Sequence, residues 1–222
     1  MRRALVIVGK APAAGVTKTR LTPPLTPEQA ARLYRGFLQD TAATALTLAP
    51  ERVTLIYPPS SGAAEALAAL LPAGVSLQPQ PGEGLGVALA GAFRDHLAAG
   101  FDRVVLIGSD NPTLPSAMIE EAYAGLSDHD VVIGPSTDGG YYLIGMTHPH
   151  LGLFERIAWS TEIVYAQTLE RAREFGLRVL PVREWYDVDT VAELERLRAD
   201  LAVLTSTAAP ATRAALAEFE AQ

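Results

Sequence analysis

Short, continuous apolar runs alternate along the chain with longer stretches whose apolar residues recur at helical spacing. The runs cover residues 4–8, 52–57, 75–78, 103–107, 131–134, 141–145 and 178–182. Unbroken rather than alternating hydrophobicity is what strands show when a parallel sheet buries both of their faces. The intervening periodicity predicts helices over 27–48, 62–71, 86–99, 116–126, 161–175 and 190–204. Thr26-Pro27-Glu28-Gln29 reads as a capping box with proline at the first helical position, which sets the start of the first helix. The alternation predicts an α/β fold, an open and mostly parallel twisted sheet with helices on both faces. Residues 1–204 read as a single domain. Residues 205–212, rich in Thr, Ala and Pro, read as a linker to a last helix near 213–219.

Open sheets of this kind bind ligands at the carboxyl ends of their strands. Four polar segments directly follow predicted strands: 9–21, 80–86, 108–112 and 135–140, with Asp187-Val188-Asp189 soon after the last. Topology alone therefore predicts that they share one edge and one site.

Composition narrows the chemistry. The chain has 222 residues, no cysteine and a net charge of −7. The absence of cysteine excludes disulfides, thiolate-bound metals and a thiol nucleophile. The acidic balance argues against a nucleic-acid partner, which needs a basic footprint. The apolar run after Met1-Arg2-Arg3 ends at Gly9, too short for a signal sequence or a bilayer span, so a cytoplasmic protein with no membrane partner is expected. Of the 18 basic residues only Lys10 and Lys18 are lysine, and both fall in the first loop with Arg20.

Each segment carries a chemical reading and a plainer one. The first loop, Lys10 to Leu21 with Gly15, can offer backbone N–H groups and cations to phosphates, although it lacks the adjacent Gly-Lys of a P-loop. The plainer reading is a solvated surface loop. Asp110 leaves a strand end where a carboxylate beside phosphates would hold Mg²⁺; alternatively Asp110-Asn111-Pro112 is turn chemistry. Asp187 and Asp189 offer a second metal contact, or Asp189 or Thr190 caps the following helix. Asp138-Gly139-Gly140 is either a hairpin turn or a place where backbone approaches a substrate. Gly84 and Gly86 either place a helix N-terminus against a nucleotide or form a flexible turn. Trp159 reads as core or pocket wall, with Ser160 or Thr161 capping the next helix, and His148-Pro149-His150 as a surface turn.

Taken in order, Lys-Ala-Pro-x-x-Gly-x-x-Lys-Thr-Arg-Leu, Gly-Ser-Asp-x-Pro, Gly-Pro-x-x-Asp-Gly-Gly-Tyr-Tyr-Leu-Ile-Gly, Trp-Ser-Thr and Asp-Val-Asp-Thr resemble one family over roughly residues 4–197. These are the glycosyltransferase-like proteins described as radical-SAM/selenodomain-associated transferase 1. They have the nucleotide-diphospho-sugar transferase (GT-A) fold and are similar to 2-phospho-lactate guanylyltransferase. The resemblance implies a nucleotide over Lys10, Gly15, Lys18 and Arg20, to which the reading of the second glycine segment adds Gly84 and Gly86. It also implies a divalent metal at Asp110, a second metal or acceptor contact at Asp187 or Asp189, and acceptor contacts at Asp138, Gly139 and Gly140. One departure is visible: Val87-Ala88 follows Gly86 where the family usually has an acid and an arginine.

The expected function is Mg²⁺-dependent transfer of a nucleoside monophosphate from an NTP to a small acceptor, with Lys18, Arg20 and Asp110 as catalytic residues. Glycosyl transfer from an NDP-sugar is the alternative, and a non-catalytic nucleotide-binding domain a second one. The expected partners are the nucleotide and a small-molecule acceptor, with a homodimer left open.

Overall fold

A computed structural model describes residues 1–220. Its elements are β1 (Arg3–Val8), α1 (Pro27–Thr47), β2 (Arg52–Tyr57), α2 (Ala63–Leu70), β3 (Val75–Pro79), α3 (Leu85–Ala98) and β4 (Arg103–Gly108). They continue with α4 (Ser116–Gly125), β5 (Val131–Pro135), β6 (Tyr141–Met146), α5 (Val164–Glu174), β7 (Val179–Pro181), α6 (Val191–Val203) and α7 (Pro210–Glu220). Every expected strand forms, and the strands join one sheet in the order β3-β2-β1-β4-β6-β5-β7. All pairings are parallel except the two that β6 makes, with β4 and with β5. The β5–β6 connection is therefore a hairpin, and its turn still lies at the carboxyl edge of the parallel strands. Among the described residues no helix is long and apolar enough to cross a membrane.

The continuous apolar strands are explained by two cores, one on each face. Leu5, Ile7, Leu55, Val105 and Ile107 point to the side covered by α1, α4, α6 and α7. Ala4, Val6, Ile56, Val104 and Leu106 point to the side where Phe93, Phe101 and Phe154 pack. Adjacent strand residues serve opposite cores, so the central strand positions are nearly all apolar, and the buried exception, Thr54, shares a 2.9 Å hydrogen bond with His96.

Helix starts follow local chemistry. Thr26 accepts from the Gln29 N–H at 3.2 Å while Gln29 Oε1 accepts from the Thr26 N–H at 2.8 Å, the expected reciprocal cap of α1. The start of α5 lies three residues beyond its expected place, at Val164 rather than Thr161. Ser160 is left-handed (φ 65°) and the Thr161 hydroxyl donates to the Ala158 carbonyl at 2.6 Å, so these residues close a turn ahead of the helix and do not cap it.

The last helix also begins earlier than the composition suggests, inside the stretch read as linker. Asp40, buried in α1, accepts from the backbone N–H groups of Ala211 (3.0 Å) and Thr212 (2.7 Å). A carboxylate from a neighbouring helix thus satisfies two orphan donors of the first α7 turn, where Pro210 has no N–H to satisfy, and its charge complements the positive end of the helix dipole. Gly36 lets the two helices meet closely, since a Cβ there would stand 3.0 Å from the Ala211 backbone. Arg213 binds the preceding stretch by donating to the carbonyls of Leu201 (2.6 Å), Thr205 (3.0 Å) and Ala208 (2.8 Å).

At the carboxyl edge, the turn after β5 is pinned from outside the sheet. Gly139 has φ +86°, and a Cβ on it would fall inside the Glu162 backbone carbonyl. The Tyr165 N–H donates to the Gly139 carbonyl at 2.9 Å. The approach of one backbone to another therefore requires glycine here on two counts.

Two stability outcomes follow from these contacts. Asp40→Ala removes a charge-assisted cap and lowers stability by about 2 kcal/mol, seen as a lower midpoint in chemical denaturation, with Asp40→Asn recovering part of it. Gly139→Ala adds a backbone clash to a left-handed φ and costs about 2 kcal/mol or more by the same measurement, whereas Gly82→Ala, whose φ is not left-handed and whose Cβ would meet only the Val87 side chain, costs less.

Candidate active site

The first loop leaves β1 and folds on itself before it reaches α1. Thr17 is buried and closes the loop, its hydroxyl donating to the Ala13 carbonyl at 3.0 Å while its N–H bonds the same oxygen. Lys18 follows with φ 53°, a left-handed conformation uncommon for a residue with a side chain, and starts a short 3-10 turn over Thr19–Leu21. Gly15 sits at the outer end of the loop, and Gly15, Thr17 and Thr19 line a hollow of about 150 Å³. Lys10 and Arg20 remain exposed.

The Lys18 side chain is only 4% exposed and its ammonium makes two ion pairs, 2.7 Å to Asp110 Oδ1 and 2.7 Å to Asp189 Oδ1. The rings of Tyr34 and Phe37, with centroids 5.8 and 5.6 Å from Nζ, lie beside it. Burial pushes the lysine pKa down, but Asp110 and Asp189 outweigh burial and hold it above the ordinary value. The ammonium stays charged, and two of the carboxylates expected to serve a metal share it.

Asp110 leaves β4 and is fixed by its main chain, its carbonyl accepting from the Val188 N–H at 2.8 Å. That bond brings Asp187-Val188-Asp189 alongside the β4 exit. Glu193 Oε2 accepts from the Thr190 N–H at 2.7 Å and Thr190 stands as the N-cap of α6, so the cap falls to Thr190 while the Asp189 carboxylate turns to Lys18. Asp187 points the other way, accepting from Asn111 Nδ2 at 3.0 Å and from the Ser136 hydroxyl at 3.2 Å. Burial, and then the negative charges of Asp110 and Asp189, push the Asp187 carboxyl up to about 7.

Beneath these acids a second layer holds the strand ends. Tyr34, buried in α1, shares a 2.8 Å hydrogen bond with Ser109 and accepts from the Lys10 N–H at 3.2 Å. One side chain thereby ties the first loop to the segment that carries Asp110. Sequence reasoning passed over Tyr34, Ser109, Asn111 and Ser136, since an aromatic in an amphipathic helix and small polar residues beside a turn are unremarkable on their own. Asn111 is the one with a local signal, an amide directly after the strand-end acid Asp110, and the structure buries it. Its Oδ1 is buried without a hydrogen-bond donor.

The remaining candidates ring this centre. Asp138 accepts from the Gly140 N–H at 2.9 Å, closing the turn that Gly139 packs against Glu162. Gly84 precedes α3 with φ 89° and open space where a side chain would stand, a backbone only glycine adopts freely. Gly86 lies against Trp159: a Cβ there would stand 2.6 Å from the indole nitrogen. Trp159 in turn meets Tyr141 edge-on at 6.4 Å. Between α3 and the acids opens a cavity of about 200 Å³ whose walls include Leu85, Leu89, Tyr141, Asp110 and Asp187.

This geometry can be set beside known proteins. The family described as "uncharacterized protein conserved in bacteria" (DUF2064) matches residues 41–161. Over 181 residues, 80% of this chain and 76% of the relative, the sequence is 30% identical to 2-phospho-L-lactate guanylyltransferase of Methanothermobacter thermautotrophicus (strain Delta H). A crystal structure from Desulfovibrio desulfuricans G20, provisionally named a nucleotide-diphospho-sugar transferase, superposes with a TM-score of 0.90 at 34% identity. That match covers 100% of this chain and 96% of the other. The manganese complex of Rv0371c from Mycobacterium tuberculosis H37Rv shares the fold, with a TM-score of 0.52 at 18% identity over 89% of this chain and 98% of that one. The chain belongs to the DUF2064 family and is a transferase with the nucleotide-diphospho-sugar transferase fold.

Proposed function

We propose that this transferase is a divalent-metal-dependent nucleotidyltransferase that moves a nucleoside monophosphate from an NTP to a small acceptor. The observation that carries the reading is the convergence of Lys18, Asp110, Asp187 and Asp189 at the carboxyl edge of the sheet, below a glycine-bearing loop. The similarity to a named guanylyltransferase over most of both chains supports it.

The acids suit a hard cation. Every donor is an oxygen, and Asn111 Oδ1 adds a buried acceptor without a partner next to Asp187. Among the described residues no three acidic, histidine or cysteine side chains form a ready-made metal cage. Mg²⁺ asks for no such cage: it takes one or two carboxylates and completes its shell with water and phosphate. Asp110 and Asp189 would hold it, with Asp187 nearby. When bound, the metal would neutralise phosphate charge and polarise the phosphorus under attack.

The chain's own residues supply the rest. Lys18 and the exposed Arg20 add positive charge where pyrophosphate leaves, and charge developed in a partly buried site is stabilised more than in water. The first loop gives backbone N–H groups to the phosphates, and the α3 N-terminus beyond Gly84 gives others. The cavity walled by Leu85, Leu89 and Tyr141 would take the acceptor beside Asp110 and Asp187. No covalent nucleophile is required, since in-line transfer depends on positioning and charge.

The test is to incubate the protein and Mg²⁺ with each of the four NTPs, and separately with NDP-sugars, in the presence of mixed small acceptors. Acceptor-dependent pyrophosphate release is expected, falling at least 100-fold in Asp110→Asn. Release of NDP from the sugar donors without pyrophosphate would replace the reading by glycosyl transfer. Nucleotide binding with no turnover, and indifferent to Asp110→Asn, would make the chain a binding domain.

A further inference from the structure

Lys18 is placed oddly for a residue whose task is to meet phosphate. Its ammonium does not project into the loop opening; it lies under the loop, 96% of the side chain out of solvent, with both carboxylate contacts at 2.7 Å. Three carboxyl groups gather here, and the one cation in contact with them among the described ion pairs is this ammonium. Asp187 is engaged by Asn111 and Ser136 instead. Asn111 Oδ1, buried and without a donor, marks a further oxygen on the same side. A metal ion drawn to Asp110 and Asp189 thus finds those oxygens already neutralised by a positive charge.

We infer that the Lys18 ammonium stands in for the divalent cation in the nucleotide-free protein, so that metal and nucleotide enter together as Lys18 gives up Asp110 and Asp189. The inference rests on the reading that these acids carry the metal. Two cations cannot hold the same pair of carboxylates at close range without strong repulsion. The arriving phosphates resolve the conflict, because they offer the displaced ammonium a new anionic partner and bring the remaining ligands of the metal. Lysine suits the role better than arginine: a compact ammonium on a flexible stem can occupy an ion's place and leave it, whereas a planar guanidinium fixed by two carboxylates cannot turn as freely. In a chain that uses arginine at 16 of its 18 basic positions, lysine at this position is consistent with that demand.

The test is a titration of nucleotide-free protein with Mn²⁺, following free Mn²⁺ by electron paramagnetic resonance. Wild type is expected to bind weakly, and Lys18→Met, which keeps the stem and removes the charge, at least tenfold more tightly. Lys18→Arg keeps the charge and should stay weak. Equal or weaker Mn²⁺ binding by Lys18→Met, with that binding still abolished by Asp110→Asn, would overturn the inference and leave the metal reading intact. An absence of Mn²⁺ binding in all the folded variants, with saturating NTP as well as without it, would overturn both. Should Lys18→Met fail to fold, the wild-type chain answers alone. Because it holds only Lys10 and Lys18, [¹³Cε]lysine labelling gives two side-chain signals, and the Lys18 signal must move as Mg²⁺ is raised to saturation. A Lys18 signal that stays fixed at saturation would refute the idea.

Discussion

The buried ammonium of Lys18 is the contact on which the carboxyl edge of this sheet depends. Asp110 comes from the exit of β4 and Asp189 from the approach to α6, and both carboxylates turn inward to one charge. Removing the ammonium would leave two like charges facing each other without their shared partner, a penalty that solvent screens in part because both carboxylates are more than a third exposed. The first loop, the end of β4 and the start of α6 therefore behave as one unit, and their relative positions follow from a single electrostatic demand.

That unit is reinforced by neutral contacts. Tyr34 joins the first loop to Ser109, and the Asp110 carbonyl takes the Val188 N–H. Asn111 and Ser136 hold Asp187 between the β4 and β5 exits. Polar groups brought together at low dielectric must satisfy one another or be satisfied by a ligand. The residual imbalance here is a carboxyl pushed up to about 7 at Asp187, in the wall of the 200 Å³ cavity, and an amide oxygen without a donor on the Asn111 side chain that bonds it.

The helices at the periphery perform a separate task. α1 carries Phe37 on the site side and Gly36 and Asp40 where α7 docks, so one helix links the C-terminal packing to the floor below Lys18. On the other face α3 and the 158–165 segment meet through Gly86 and Trp159, while Gly139 accepts the backbone of Glu162. Both glycines carry a ligand reading in the sequence, and each has a protein neighbour that demands the missing Cβ. Close packing and ligand approach leave the same mark in a sequence, because each excludes a side chain.

Hydrophobic pattern by itself determined the seven strands, most helix boundaries and the edge on which the polar segments gather, because burial on two faces imposes continuous apolar runs that any reading frame reveals. The capping box of α1 was legible for the same reason: its partners are three residues apart. Partnerships across the fold were not legible. Lys18 meets Asp189 across 171 positions, Asn111 meets Asp187 across 76, and Asp40 caps a helix 171 positions away. Which strand lies beside which decides such pairs, and no local period encodes strand order. The count of lysines drew attention to Lys18, and the order of the sheet determined that its charge would rest on two aspartates.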